Sequence, residues 1–163
     1  MSGILSLSNK WIRRLVMKAK IVTLEKANMM GIVYRGKNEN NEIPAMWEVF
    51  NKRFKEIPNP DMRAFYGLCY GFESGGSFSY MAGLAVDQFE TIPNGMEVVE
   101  RPASKYAVFT FKDKMDKIGQ FWDEIYRTYL KENDLTAITG MTFEYYDERF
   151  EKTGECDIYI PVL

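Results

Sequence analysis

The sequence predicts an α+β fold built from two β-α-β-β units in tandem, and three observations carry that reading. Two segments place apolar residues at helical spacing. Short β-branched and aromatic runs of strand length surround each of them. The chain also falls into register with itself when displaced by 75 residues.

In chain order, the strand-length runs lie at residues 19–24, 30–34, 64–70 and 78–86, then at 96–99, 106–111, 141–146 and 157–162. Turn chemistry separates them at Pro58-Asn59-Pro60, Ser74-Gly75-Gly76, Pro93-Asn94-Gly95 and Thr153-Gly154. The first helical stripe is Ile43, Met46, Trp47, Phe50, Phe54 and Ile57. Asn40 or Asn41 serves as its N-cap, Pro44 suits its first turn and Pro58 stops it. The second stripe is Met115, Ile118, Phe121, Trp122, Ile125, Tyr126 and Tyr129, and residues 131–134 end it. The displacement sets Val33 on Val108, Trp47-Glu48 on Trp122-Asp123, Phe50 on Ile125 and Cys69 on Glu144. Every element then meets a counterpart without a gap, so each half should give strands to one sheet and one helix to its cover.

Composition narrows the chemistry. The 163 residues include 11 Phe, 10 Tyr, 3 Trp and 2 Cys, and no His. Imidazole acid/base catalysis, Ser-His-Asp or Cys-His nucleophile systems and histidine-bearing zinc sites are therefore excluded. Two cysteines cannot form an all-cysteine zinc site and read as reduced thiols, which places the chain in the cytoplasm. No metal or cofactor is expected. With 163 residues, 46% of them apolar, one domain or two small, intimately packed halves with a substantial core are expected.

Charge is uneven. Residues 1–20 hold five basic and no acidic groups, leaving the remaining residues at a net charge of −7. An acidic body does not suit sequence-independent nucleic-acid binding. Residues 1–16 read as a basic N-terminal extension helix, packed on the body or on a partner, with 17–163 as the domain proper and halves at about 18–90 and 91–163. Lys10, Arg13 and Arg14 interrupt any signal-peptide core, and no stretch reaches the length of a membrane span.

Several stretches resemble the GyrI-like small-molecule-binding domain. They are Ile92-Pro93-Asn94-Gly95-Met96, residues 102–109, Phe143-Glu144-Tyr145-Tyr146 and the closing residues 157–162. That domain occurs at the C-terminus of AraC- and MerR-type transcription activators, in gyrase-inhibitor-like proteins and as lone modules, including one on an integron cassette. The resemblance spans about residues 18–163. It implies a pseudo-twofold fold, an antiparallel sheet covered by two long helices, and a central aromatic groove for amphipathic, often cationic compounds. It further implies that Glu144 is the characteristic charged residue. Without a helix-turn-helix segment, the chain alone should not read DNA.

The residues themselves leave two positions open for Glu144: a solvent-facing edge, or a buried strand face that demands a partner. A buried carboxylate needs hydrogen bonds or a cation, and an organic cation would also gain cation–π attraction from aromatic walls. Trp47 and Trp122 sit at matching places on the two helices, where core and groove wall are both open readings. Phe50, Phe121, Tyr66, Tyr80 and Tyr126 complete the candidate ligand-binding set. Cys69, the counterpart of Glu144, reads as a buried thiol, and Asp147, Glu148 and Glu151 as a solvated turn. The leading expectation is a non-enzymatic sensor or sequestering module for amphipathic cations. The alternative is a hydrolase of strained electrophiles with Glu144 as general base. A protein partner, either a DNA-binding regulator or gyrase, or a homodimer, is also compatible.

Overall fold

The computed structural model describes residues 17–163, so the expected basic extension helix at residues 1–16 lies outside the described residues. Eight strands form one antiparallel sheet: β1 (Lys20–Leu24), β2 (Ala27–Gly36), β3 (Pro60–Tyr70), β4 (Phe78–Val86), β5 (Glu97–Arg101), β6 (Ser104–Phe111), β7 (Thr142–Tyr146) and β8 (Cys156–Pro161). Their order across the sheet is β1-β6-β8-β7-β3-β4-β2-β5. The two units meet where β3 pairs with β7, and Leu68 faces Phe143 there. These residues are 75 apart, so each is its own repeat's version of the other and the pseudo-twofold passes between them. The edge strands are exchanged: β1 pairs with β6 of the second unit and β5 with β2 of the first.

Helix α1 (Glu42–Arg53) follows β2, as its stripe predicts, and buries Met46 and Phe50. Its cap differs from expectation. Asn41 occupies the N-cap position in a left-handed conformation with no side-chain bond, and Asn38 Oδ1 instead accepts the Ile43 amide at 3.1 Å. The second helix is continuous but not uniform. It comprises α2 (Ile118–Glu124), a π-turn (Ile125–Tyr129) and α3 (Leu130–Glu132). Ile125 and Tyr129 of the wider turn and the adjacent Leu130 are all buried in the core. Asn133 closes this end by bonding the Tyr129 and Met17 carbonyls and the Ala19 amide.

Two further corrections to the sequence reading emerge. The acidic stretch at residues 147–153 is not an open turn: Asp147 caps a short helix, α4 (Glu148–Thr153), and accepts the Arg149 amide. The repeat is also not gapless to its end. Cys69 faces Tyr80 whereas Glu144 faces Ile158, so the spatial counterpart of Tyr80 is Ile158 rather than Glu155. The longer, helical connection between β7 and β8 absorbs the difference.

Strand alternation divides the core into three clusters. One packs Met30, Tyr80, Ala82 and Leu84 beneath α1, and a second packs Ala107, Phe109, Ile158 and Ile160 beneath the second helix. A third, including Met29, Leu68, Met81, Tyr106 and Phe143, lies on the helix-free face and takes no helix residue. Among the described residues, no helix is long and apolar enough to cross a membrane.

Candidate functional site: a glutamate held by aromatic donors

Glu144 lies in β7, one residue past the twofold pair, on the face that carries the helices. Its cross-strand neighbour is Gly67. The absence of a side chain there is a requirement of packing: a Cβ on Gly67 would overlap both the Tyr80 hydroxyl and Glu144 Oε1. The carboxylate therefore lies across the bare backbone of β3 and reaches into the first unit.

There Tyr80 Oη donates to Glu144 Oε1 at 2.6 Å, and Trp47 Nε1 donates to Tyr80 Oη at 2.9 Å. From the second unit, Trp122 Nε1 donates to Glu144 Oε2 at 3.2 Å. The two repeat-equivalent tryptophans thus converge on one carboxylate, Trp122 directly and Trp47 through Tyr80. Tyr146, two residues along the strand from Glu144 and on the same face, adds a hydroxyl. Its ring also packs edge-on against Trp47, with centroids 5.7 Å apart.

Glu144 is 8% exposed, and among the described residues no lysine or arginine forms an ion pair with it. Burial pushes its carboxyl above the usual carboxylate range, while the hydrogen bonds from Tyr80, Trp122 and Tyr146 act against that rise. The titratable groups around it move the same way. Burial, reinforced by the Glu144 charge, raises Tyr80, Tyr146 and Cys69, and raises Cys156 to about 12. When Glu144 is ionised, the site holds one negative charge among neutral donors. A carboxylate beside π faces has the chemistry that suits an organic cation.

The other pole of the pseudo-twofold is chemically empty by comparison. Cys69 faces Thr142, as Glu144 faces Gly67. A thiol and a hydroxyl stand where a carboxylate stands on the other side.

The structure brings Glu144, Tyr80, Trp47 and Trp122 into one network. The other four sequence candidates take no part in its hydrogen bonds. Phe50 is fully buried in the first core and packs edge-on against Trp47. Phe121 packs with tilted rings against Phe111 and Tyr129 at the second core. Tyr126 is half-exposed and lies toward Cys69 rather than Glu144. Tyr66 points to the helix-free face, where it contacts Phe143 and Tyr145. Gly67 and Tyr146 were not among the sequence candidates. Strand alternation within Phe143-Glu144-Tyr145-Tyr146 already placed Tyr146 beside Glu144, whereas Gly67 becomes visible only once β3 and β7 are paired. Two surface cavities of about 680 Å3 and 760 Å3 lie elsewhere, and neither is lined by Glu144.

Comparison with known proteins places this arrangement in context. The chain is 36% identical over 151 residues to the transcriptional regulator BrlR of Pseudomonas aeruginosa, covering 90% of this chain and 56% of that protein. It therefore spans little more than half of BrlR's length. Among solved structures, SAV2435 bound to tetraphenylphosphonium has the same fold, with a TM-score of 0.71 and 23% identity over 90% of this chain and 94% of that one. The integron cassette protein VCH_CASS2 of Vibrio cholerae superposes with a TM-score of 0.66 and 18% identity over 89% and 95% of the two chains. The model of the integron-associated effector-binding protein family matches residues 20–162, and the chain belongs to that family.

Proposed function

We propose that this chain binds amphipathic organic cations at Glu144 and acts as a sensor or sequestering module. The observation that carries the reading is a carboxylate 8% exposed, held by aromatic N–H and O–H donors, with no side-chain cation paired to it among the described residues. Such a charge is costly to bury and is relieved by a partner of opposite sign. An amphipathic aromatic cation supplies that charge, and it gains apolar burial against Trp47, Trp122 and Tyr146. To reach Glu144 it must part these rings, so binding is coupled to indole movement. The tetraphenylphosphonium seated in SAV2435, a protein of the same fold, supports this ligand class. The regulatory name of BrlR supports a readout through a DNA-binding partner. A cytoplasmic location fits such a partner.

The experiment is a tryptophan-fluorescence titration, since Trp47 and Trp122 both border the carboxylate. Tetraphenylphosphonium should change the emission saturably, and neutral triphenylphosphine oxide should bind about tenfold more weakly or worse. Equal affinity for the two compounds would remove charge selection from the account.

A further inference from the structure

A second buried charge lies on the opposite face of the same central strand pair. Arg101, the last residue of β5, is 8% exposed, and its guanidinium carbon stands 5.6 Å from the centroid of the Phe143 ring. Nη2 donates to the Glu25 carbonyl at 3.0 Å. Nε has no hydrogen-bond partner. Among the described residues it is the only buried side-chain nitrogen or oxygen in that condition. No Asp or Glu of the described residues pairs with Arg101, and residues 1–16 contain no acidic side chain that could do so. A buried guanidinium with a free donor is an expensive arrangement unless an acceptor arrives from outside the chain.

Arg101 lines the cavity of about 760 Å3 on the helix-free face. That size suits a drug-sized organic molecule. Its wall carries Tyr66 and Met62 as apolar surface, with Lys26 among the cationic residues. Lys26 is the repeat counterpart of Arg101. Burial raises the Tyr66 hydroxyl, and the positive charge of Arg101 acts against that rise. The wall also holds Asp61, Asp87 and Glu100. Asp61 is neutralised by Arg63, but the other two would repel a ligand of multiple negative charge. From this combination we infer that the helix-free face binds an organic monoanion with a flat apolar body, the simplest class being an aromatic carboxylate. Its carboxylate accepts from Arg101 Nε, and its ring lies against Tyr66.

The test uses 2-naphthoate as probe and naphthalene-2-carboxamide as its neutral counterpart, with the amide resonances of the full chain followed by NMR. The expected result is saturable binding of naphthoate, with shifts concentrated at Tyr66 and Arg101. The carboxamide and the Arg101→Met variant should each weaken binding about tenfold or more, the loss of a charge-assisted hydrogen bond. If Arg101→Met fails to fold, Arg101→Lys decides the matter. It keeps the charge without an Nε donor and should weaken binding by about threefold to tenfold. Absent saturation, equal binding of the carboxamide, shifts centred elsewhere, or a folded Arg101 variant that binds like the wild type would each overturn the inference. Failure here leaves the Glu144 reading intact, because the two sites lie on opposite faces of the sheet.

Discussion

The two poles of the pseudo-twofold are related by nearly the same backbone and differ in what that backbone carries. On one side Glu144 crosses the bare backbone at Gly67 to meet Tyr80. On the other Cys69 faces Thr142. The surroundings of both are mostly apolar and aromatic, so the difference in charge comes from a handful of positions and not from the fold. A duplicated scaffold supplies two walls and two tryptophans. One half supplies the charge, the other the space and the Tyr80 donor, and neither half alone contains the site.

The sharpest way to break the comparison is to close the space at Gly67. Gly67→Ala would force the Tyr80 hydroxyl and the Glu144 carboxylate apart, because both lie where the new methyl group must go. A loss of about 2–4 kcal/mol in stability is expected from overpacking plus a broken buried bond, read by chemical denaturation. Cation affinity should fall with it.

Removing the charge is the next largest change, and it acts in opposite directions on binding and folding. Glu144→Gln should weaken tetraphenylphosphonium binding by about 2–3 kcal/mol. It should also stabilise the ligand-free protein at neutral pH. The sign follows from linkage: burial raises the carboxyl above its value of 4.5, so the folded state holds the proton more tightly than the unfolded one. The contribution to stability is complete below the unfolded value and is lost as pH rises through the higher folded one. Thermal melts of the wild type and Glu144→Gln should therefore converge under acidic conditions and separate toward neutrality, with the variant melting higher.

A smaller change separates the donor from the charge. Tyr80→Phe deletes the bond to Glu144 and strands the Trp47 indole N–H, at a cost of about 1–2 kcal/mol in denaturation. Losing a donor to the ionised form lifts the Glu144 carboxyl further. The pH at which cation binding develops should then move upward relative to wild type, as a pH series of fluorescence titrations would read. The smallest effect belongs to the uncharged pole: Cys69→Ala should cost about 1 kcal/mol and leave cation affinity unchanged.

Much of this molecule could be read from local pattern. The helices answer to periodicity, and the eight strands to β-branched and aromatic runs bounded by turn residues. The central strands bury both faces and so read as continuous apolar runs. The pairing of Cys69 with Glu144 as repeat counterparts also follows from the displacement alone. What local pattern could not supply is what depends on the sheet's pairing. Tyr66 and Tyr80 look alike as strand aromatics, yet strand parity sends one to the helix-free face and the other to Glu144. The space at Gly67, the three-way convergence on one carboxylate and the uncompensated Arg101 all arise between distant segments. The π-turn and the capping of α1 by Asn38 rather than Asn41 are equally settled by tertiary packing, which overrides the propensities of single residues.

The central claim is that a bound cation and a proton compete for Glu144. Calorimetric titration with tetraphenylphosphonium, in buffers of different ionisation enthalpy from about pH 4.5 to about pH 7, measures the protons released on binding. The account predicts release of up to about one proton as binding drives the raised Glu144 carboxyl to ionise, fading at higher pH and absent from Glu144→Gln. Binding with no proton release across that range, or with the same release from the Gln variant, would contradict it.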